Sequence, residues 1–283
     1  MDKNDQIQKA RAFRTLHDDP KLLVLPNIWD PIGARLLAEL GYPAVATASA
    51  AVAFSLGYDD GQRITLSAML EVIEPIAAAV NVPVSADIEA GYADSPDDLA
   101  RNIREVLRVG AVGINLEDSH VNDRSLRSIA AQCERIKAVR AMADREGIPL
   151  FINARTDVFL IDDPADAPDK VAETIDRARA YLDAGADGIY PILAGDLADL
   201  QAIQAATGAP VNVYAHQGVP PMRELESAGI SRLSIGPGLL RASLTAMKKV
   251  ATDLLNYGPY DAFTDDAMTS DEIRALVSTE RMP

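Results

Sequence analysis

One short pattern recurs along this sequence: a helix-like run ends at a glycine, and an apolar run begins a few residues later. It reads AELGYPAV at 38–45, LRVGAVGI at 107–114, LDAGADGI at 182–189 and LESAGISRLSI at 225–235. Glycine suits the left-handed position just past a helix C-terminus, and the short apolar run that follows is typical of a buried parallel strand. The pattern therefore predicts repeated units of one helix and one parallel strand.

The alternation along the whole chain predicts eight such units. The strands are expected near 22–27, 44–49, 83–88, 113–117, 149–154, 188–193, 210–215 and 232–236. The helices are expected near 30–41, 65–80, 96–109, 125–146, 169–184, 196–207, 220–228 and 238–255. Eight βα units in about 250 residues, with no linker between them, are what a closed (β/α)8 TIM barrel requires. An open, doubly wound sheet is the main alternative.

We predict a single (β/α)8 barrel domain over residues 1–283, with the barrel at about 22–255 and a C-terminal helical extension at 256–283. The segment SDEIRALVS at 270–278 predicts a short helix that packs outside the barrel. The preceding run GPGLLRASLTAMKKVATDLL is long and apolar enough to cover more than its own barrel.

The charge balance restricts the partners. The chain carries 42 acidic against 27 basic side chains, a net charge of −15, which disfavours binding to nucleic acid or to anionic membrane surfaces. Cys133 is the only cysteine, so no intrachain disulfide forms, and the N-terminus lacks the apolar stretch of a signal peptide. The longest near-apolar stretch, 44–56, is too short to span a bilayer. We expect a cytoplasmic protein that binds small molecules, metal cations or further copies of itself.

Acidic side chains gather at the predicted C-terminal ends of the strands, where TIM barrels carry their active sites. Strand 3 ends with Asp87 and Glu89, strand 4 ends with Glu117, and the loop after strand 2 contains Asp60. Carboxylates at neighbouring strand ends repel one another unless a cation or raised pKa values relieve them. Any one of them could equally be a solvated loop acid. As a group of oxygen ligands they favour Mg²⁺ or Mn²⁺ over Zn²⁺.

Candidate substrate ligands stand at the same strand ends. Arg155 follows strand 5, with Asn153 two residues earlier, and its guanidinium suits either a substrate anion or an ion pair with one of the acids. Strand 2 ends in small residues, so the backbone amides of Ser49 and Ala50 are candidate ligand donors, unless the small side chains only serve helix packing.

These residues resemble those of the isocitrate lyase and phosphoenolpyruvate mutase superfamily over about 22–255. The phrases that carry the resemblance are VLPNIWDPIGARLLAELGY, LGYDDG, ADIEAGYAD, NLEDS, INARTD, AGADGIY and GPGLLRASLTAM. The resemblance implies a barrel in which Mg²⁺, held largely through waters, binds an α-keto or α-hydroxy acid and stabilises an enolate. It also implies a homodimer or homotetramer in which the last helix is exchanged between subunits.

The resemblance assigns roles to the acids by position. Asp87 resembles the acid that contacts the metal most directly, and Glu89 stands where many members have aspartate. Glu117 and Asp60 resemble the acids that hold metal-bound waters.

The other ligands follow in the same way. Ser49 and Ala50 fall where backbone amides grip the substrate carboxylate, and Arg155 falls at the family's substrate-binding arginine.

The sequence departs from the family in its catalytic loop. Lyases of the family carry a cysteine after strand 4, but this stretch reads DSHVNDRSLRSI, and Cys133 lies later in a helical pattern. The lysine and the asparagine–serine pair of the mutase loop are also missing, and Pro191 stands near the mutase histidine position. These departures disfavour a standard isocitrate or methylisocitrate lyase and weaken the mutase assignment.

Two histidines and a tyrosine are candidates to replace the missing catalytic residues of the family. His120 follows Glu117 by three residues and is either a general acid or base or a loop histidine without a role. His216 follows strand 7 and is either functional or structural, and Tyr92 is placed near the substrate. His17 lies in the polar N-terminal segment and is expected to be inert.

Three functions remain open. The first is a Mg²⁺-dependent enzyme that cleaves or forms a C–C bond in a small 2-oxo or 2-hydroxy carboxylate through a metal-bound enolate, as a lyase, decarboxylase or hydrolase. The second performs P–C bond chemistry on phosphonopyruvate or phosphoenolpyruvate. The third is a non-catalytic barrel that binds keto acids.

Overall fold

Parallel strands alternate with helices along the chain in its computed structural model, which describes residues 2–161, 169–265 and 267–278. The strands are β1 (Leu23–Leu25), β2 (Asn27–Ile28), β3 (Val45–Thr47), β4 (Val84–Asp87), β5 (Gly113–Glu117), β6 (Phe151–Thr156), β7 (Gly188–Pro191), β8 (Asn212–Tyr214) and β9 (Arg232–Ser234). The helices are α1 (Lys3–Asp18), α2 (Pro31–Glu39), α3 (Ser49–Ser55), α4 (Leu66–Ala79), α5 (Pro96–Arg108), α6 (Ile129–Glu146), α7 (Lys170–Asp183), α8 (Leu197–Thr207), α9 (Met222–Ser227), α10 (Gly238–Leu255), α11 (Asp261–Thr264) and α12 (Ser270–Val277).

Each predicted strand has a counterpart in the structure, and so has each predicted helix. The local signals explain this agreement. The glycines of the recurrent pattern lie just past helix ends and have the positive φ that the pattern implies: 87° at Gly41, 101° at Gly110, 109° at Gly185 and 78° at Gly229. Serine caps α5 and α6 at their N-termini, where Ser95 and Ser128 accept hydrogen bonds from backbone N–H groups of the first turn.

The N-terminal helix α1 is a feature that the sequence interpretation missed. Asp2 caps it, and Gln6, Ala10, Phe13 and His17 recur every three or four residues on its buried face. His17 is buried and stacks on Phe151 with ring centroids 3.9 Å apart, so one face of this segment is packed and not polar throughout as expected. A single aromatic on an otherwise polar helix gives a weak periodic signal, which is why the pattern was not recognised.

The hydrogen-bonded strands form two parallel sheets. Six strands are ordered β2-β3-β4-β5-β6-β7, and three are ordered β1-β9-β8. The parallel α/β class is therefore confirmed, but the ladder is not closed as the barrel prediction required. A proline lies at each of the two breaks between the sheets, and proline has no N–H to donate to a ladder. Pro26 separates β1 from β2. Between β7 and β8, an isolated bridge joins Ile189 to Val211, next to Pro210.

The strands present an apolar face to the helices and a polar face to the inside. On β5, Ile114 and Leu116 belong to the main apolar cluster, which also contains residues of α4, α5, α6 and α7. The alternate residues Asn115 and Glu117 lie opposite Asn153 and Arg155 of β6 in the strand register. This register places Glu117 and Arg155 side by side at the carboxyl ends of their strands.

The last helices lie outside the strands. The predicted helix at 270–278 is present as α12, and it packs on α2, where Arg35 Nη1 donates to the carbonyl of Leu276 at 2.8 Å. Residues 279–283 of the predicted extension lie outside the described residues. Helix α10 buries only Leu240, while Met247 is 65% exposed and Leu255 is 80% exposed. Within the described part of the chain, no helix has the length and apolar character needed to cross a membrane.

Candidate active site

Four predicted metal ligands come together at the carboxyl ends of the strands. Asp87 ends β4 and Glu117 ends β5, whereas Glu89 lies two residues beyond β4 and Asp60 lies in the loop after α3. The backbone N–H of Gln62 donates to Glu89 Oε2 at 2.7 Å, which joins the Asp60 loop to the end of β4. We call Asp60, Asp87, Glu89 and Glu117 the carboxylate cluster.

Burial and neighbouring negative charges raise the pKa values of three members of the carboxylate cluster. Burial first, and then the charges of Asp60 and Asp87, raise the pKa of Glu89 to about 8. Burial and then the charge of Asp87 raise the pKa of Asp60. Burial is also the largest cause of the raised pKa of Glu117, against which the neighbouring Arg155 acts. The cluster therefore holds more negative charge than its surroundings neutralise, and a proton or a cation relieves it.

Asp87 is anchored on one oxygen only. Its Oδ2 accepts hydrogen bonds from the Ser49 backbone N–H at 3.1 Å and from Ser49 Oγ at 2.8 Å. Its Oδ1 is buried and has no hydrogen-bond partner among the described residues. Ser49, predicted as a backbone donor to the substrate carboxylate, thus lies at the cluster, where its amide binds a carboxylate of the protein. Ala50 follows in the first turn of α3, where N–H groups have no acceptor within the helix.

Arg155 is enclosed by two carboxylates. Its Nη1 lies 2.6 Å from Glu117 Oε1, and its Nε donates to Asp157 Oδ1 at 2.7 Å. Asp157 is buried, and its other oxygen accepts a hydrogen bond from Ser119 Oγ at 2.5 Å. The side chain that the sequence placed as an anion receptor is therefore held by ion pairs on two of its nitrogens.

A second buried acid supports this arrangement. Asp118 is fully buried and accepts hydrogen bonds from the Asp157 backbone N–H at 2.9 Å, from Tyr181 Oη at 2.8 Å and from Arg177 Nη1 at 3.2 Å. The sequence interpretation gave no role to Asp157 or to Asp118. The alternation of side chains along a strand was the available signal, since Asp157 follows Arg155 by two residues and shares its face.

Asn153 lies on β6, two residues further from the carboxyl end of the strand than Arg155. Its Nδ2 donates to Asn115 Oδ1 at 2.9 Å, and the same oxygen accepts from Arg232 Nη2 at 3.3 Å. Arg232 is 1% exposed, so this layer contains a buried cation beneath the carboxylate cluster. Asn153 faces the inside as its spacing from Arg155 predicts, and its described hydrogen bond goes to the protein.

His120 and Tyr92 line one cavity beside the carboxylate cluster. The cavity has a volume of about 210 Å³ and also includes Gln62, Asp94 and Arg127 in its wall. The Tyr92 hydroxyl is buried without a partner among the described residues. Burial, followed by the charge of Glu89, raises the pKa of Tyr92, so its hydroxyl stays protonated at neutral pH.

The described contacts of His216 and Cys133 are with residues outside the carboxylate cluster. The Nδ1 atom of His216 is 2.9 Å from the carbonyl oxygen of Gln217, and its ring packs over Gly195. Cys133 lies on α6, where its Sγ donates to the carbonyl of Ala180 at 3.3 Å. The structure thus gives His216 local contacts, and it packs Cys133 against α7 as the helical pattern predicted.

Residues with a left-handed backbone conformation occur in the same region. Six described non-glycine residues have a positive φ: Gln62 (55°), Glu89 (52°), Tyr92 (58°), Arg124 (57°), Leu193 (64°) and Tyr257 (56°). Residues with bulky side chains adopt this left-handed conformation rarely, and such positions concentrate at functional sites. Three of these six, Gln62, Glu89 and Tyr92, lie in the carboxylate cluster or line the adjacent cavity.

The carboxylate cluster fits a hard divalent cation. Among the described residues, no three histidine, cysteine or acidic side chains stand close enough together to ligate a metal ion directly. Mg²⁺ is commonly bound through one or two carboxylates and several waters, so direct ligation by three side chains is not required. The partnerless Asp87 Oδ1 and the raised pKa values of Asp60, Glu89 and Glu117 are the features that a cation would satisfy.

Comparison with known proteins places this arrangement in a family. The family model described as phosphoenolpyruvate phosphomutase matches residues 13–255. An uncharacterised protein of Mycobacterium tuberculosis is 34% identical over 85% of this chain and 87% of its own length. The 2-methylisocitrate lyase of Bacillus subtilis is 27% identical over 97% of this chain and 91% of its own length.

Solved structures agree with this placement. A Burkholderia cenocepacia protein provisionally described as a lyase/mutase has a TM-score of 0.89 and 36% identity, covering 98% of each chain. An oxaloacetate acetylhydrolase in complex with its product oxalate has a TM-score of 0.83 and 25% identity, covering 95% of this chain and 94% of that one. The chain therefore belongs to the phosphoenolpyruvate phosphomutase family, and it is an enzyme of the isocitrate lyase and phosphoenolpyruvate mutase superfamily.

Proposed function

We propose that this enzyme cleaves or forms a C–C bond in a small 2-oxo or 2-hydroxy carboxylate through an enolate, and that it depends on Mg²⁺ or Mn²⁺. The observation that supports the proposal most directly is the carboxylate cluster, in which four acids with little neutralising charge face Arg155 at the strand ends. When bound, the cation supplies Lewis-acid stabilisation of the negative charge that develops on the substrate oxygen.

Different residues would bind the cation and the substrate. Asp87 would hold the cation through Oδ1, since Oδ2 is bonded to Ser49. Asp60, Glu89 and Glu117 would hold its waters. Arg155 orients the substrate carboxylate, because Nη2 is the guanidinium nitrogen that Glu117 and Asp157 leave unpaired among the described residues. The backbone N–H of Ala50 supplies a further donor at the start of α3.

A residue on the cavity side of the site would transfer the proton to the reacting carbon. The family's lyase cysteine has no counterpart there, because Cys133 packs between α6 and α7. His120 lines the cavity next to Tyr92, and we assign it as the general acid or base. His216 follows β8 and would contribute to the substrate pocket from its position over Gly195.

The relatives favour carboxylate chemistry over simple binding. They include 2-methylisocitrate lyases and an oxaloacetate acetylhydrolase, whose names describe reactions at C–C bonds of small carboxylates. The phosphoenolpyruvate phosphomutase model supports P–C bond chemistry as the second candidate function. Membership of an enzyme family weighs against the third possibility, a non-catalytic barrel that binds keto acids.

We also infer that the two sheets are arcs of one (β/α)8 barrel. Strands β1 and β2 are separated by Pro26 alone, and the bridge between Ile189 and Val211 joins the other two sheet edges. The exposed apolar side chains of α10 support a homodimer or homotetramer in which this helix covers a neighbouring subunit.

The test is a panel of 2-oxo and 2-hydroxy di- and tricarboxylates assayed with Mg²⁺ and with EDTA, with products identified by NMR. We expect Mg²⁺-dependent cleavage of at least one member, with a small 2-oxo acid or oxalate among the products. Release of phosphate from phosphonopyruvate would support the second candidate instead. Turnover that is equally fast in EDTA would contradict the role of the cation.

A further inference from the structure

We propose that Arg232 acts on the candidate active site through its charge, so that it weakens the binding of the divalent cation at Asp87 and strengthens the binding of the anionic substrate. Arg232 would do so from the inner side of the strands, without touching either ligand. This inference rests on the proposed function, because it takes a cation and a small carboxylate to bind at the carboxylate cluster.

The strand register turns the Arg232 side chain to the inside. Arg232 begins β9, opposite Leu23 of β1 and Asn212 of β8. Its neighbour Leu233 belongs to an apolar cluster with residues of α8 and α9, and side chains alternate along a strand, so Arg232 points away from that cluster. Its Nη2 reaches Asn115 Oδ1 on β5 at 3.3 Å. The guanidinium therefore lies on the inner side of the strands.

This guanidinium has no counter-charge in direct contact among the described residues. Arg232 is 1% exposed, its described hydrogen bond goes to the neutral Asn115, and its Nε and Nη1 are buried without a partner. Arg177, which is also buried, pairs with the carboxylate of Asp118 at 3.2 Å. The charge of Arg232 is thus left without the neutralisation that the charge of Arg177 receives.

The charge of Arg232 is also shielded from solvent. Its Nε and Nη1 atoms are closed to water, so neither hydration nor dissolved salt screens them. A charge in the protein interior acts more strongly on its neighbours than a surface charge does, because the effective dielectric constant is lower. Buried charges without a partner are costly, and perturbed charged groups concentrate at functional sites.

The carboxylate cluster lies within the field of this charge. Asn115, which accepts the hydrogen bond from Arg232, stands opposite Asp87 in the register of β4 and β5, and neighbouring strands are about 4.8 Å apart. Burial lowers the pKa of Arg232 to about 10, whereas the charges of Tyr190 and Asp87 raise it. Arg232 therefore stays charged at neutral pH, and its interaction with Asp87 is mutual.

The field of Arg232 has opposite effects on the two ligands. A fixed positive charge near Asp87 repels a divalent cation that binds there, and it attracts an anion that binds beside that cation. The same attraction favours the negative charge that develops on the substrate during the reaction. A purely structural role would differ, because loss of packing would weaken the binding of both ligands together.

Two substitutions of Arg232 separate its charge from its packing. Arg232→Met removes the charge and keeps a long side chain, a kind of replacement that buried charges often tolerate, and Arg232→Lys keeps the charge. Asn115 Oδ1 retains a partner in both variants, because it also accepts from Asn153 Nδ2 at 2.9 Å. Calorimetry gives the Kd of Mg²⁺ for the metal-free protein, and then the Kd of pyruvate and of oxalate at saturating Mg²⁺.

In Arg232→Met, Mg²⁺ should bind at least about threefold more tightly and pyruvate at least about threefold more weakly. The loss for oxalate should be larger, because oxalate carries two negative charges and pyruvate carries one. Arg232→Lys should remain closer to the wild type for all three ligands. Arg108→Met is the matched control, since it removes the same charge from a side chain on α5 that is 63% exposed, and it should change none of the three Kd values.

Mg²⁺ binding that is weakened or unchanged in Arg232→Met would overturn the role of Arg232 and leave the proposed function intact. Equal losses for oxalate and pyruvate would overturn it as well. If Arg232→Met does not fold, Arg232→Gln, which is also uncharged, takes its place with the same expected results. A wild type that binds neither pyruvate nor oxalate in the presence of Mg²⁺ would overturn the proposed function itself.

Discussion

Arg155 Nε donates to Asp157 Oδ1 at 2.7 Å, so the arginine that faces the carboxylate cluster is oriented by the residue two places after it. Asp157 is itself fixed by Ser119 Oγ and, through its backbone N–H, by Asp118. The guanidinium is thus positioned by a chain of buried hydrogen bonds, and this makes Asp157 a positioning residue.

Substitution of Asp157 by asparagine should weaken the binding of 2-oxo acids more than the binding of Mg²⁺. The change removes the charge that orients Arg155, and a hydrogen bond to a charged group contributes about 1.5–3 kcal/mol, so kcat/KM should fall by roughly 10- to 100-fold. Calorimetry with pyruvate and separately with Mg²⁺ measures both effects. Equal losses for the two ligands would indicate general disruption and contradict the positioning role.

Substitution of Asp87 by alanine should abolish Mg²⁺-dependent activity and Mg²⁺ binding. Among the described residues, Asp87 Oδ1 is the one carboxylate oxygen that is buried without a hydrogen-bond partner. Calorimetric titration with Mg²⁺ gives the result, and Asp97→Asn, at an exposed position on α5, is the matched control. Retention of the wild-type Mg²⁺ affinity would rule out Asp87 as the main metal ligand.

His17 should make the protein less stable in mild acid. Burial, followed by the charge of Arg232, lowers the pKa of His17 from 6.5 to about 3, so the unfolded chain binds a proton that the folded chain does not. The stability is complete above pH 6.5 and falls as the pH decreases towards 3, with this residue contributing about 1.4 kcal/mol per pH unit.

The variant His17→Gln isolates this effect. It removes the titrating ring, so the free energy of unfolding measured in urea with EDTA should depend less steeply on pH between 6.5 and 5 than in the wild type. The wild type and the variant should be compared at pH 7 and pH 5. Parallel pH profiles for the two proteins would show that His17 does not titrate on unfolding.

Substitution of Gly113 by alanine should destabilise the contact between α1 and the strands. A Cβ at this position would lie 2.5 Å from Phe13 Cε1 and 3.0 Å from Ser85 Oγ, so α1 or β5 must shift. Overpacking of this kind costs about 1–3 kcal/mol. Thermal unfolding measures the loss of stability. The control Gly238→Ala, whose Cβ would meet only an ordinary contact at 3.7 Å, should leave the melting temperature unchanged.

Charged substitutions on the outer face of α10 should reduce the oligomeric state. Leu244 and Met247 are 49% and 65% exposed, one turn apart on this helix. The double substitution Leu244→Glu and Met247→Glu would place two charges in the proposed contact with a neighbouring subunit, and light scattering should then give a smaller mass. A wild-type protein that is already monomeric would contradict the proposed assembly.

The sequence alone determined the order of the elements and the class of the fold. Glycine after a helix acts locally, through backbone conformation, so patterns such as LDAGADGI locate the strand boundaries well. The same reasoning placed Asp87, Glu89 and Glu117 at strand ends, because chain position and strand direction together fix where a residue emerges.

Only the tertiary structure decided which of these side chains are free and which are paired. The sequence left Arg155 as an anion receptor or an ion-pair partner, and the register of β5 against β6 places it beside Glu117. Contacts between distant elements also made α1 a buried helix and revealed the partnerless donors of Tyr92 and Arg127. Local patterns determine backbone conformation, but hydrogen bonding and pKa values depend on distances between residues far apart in the chain, which only the folded arrangement sets.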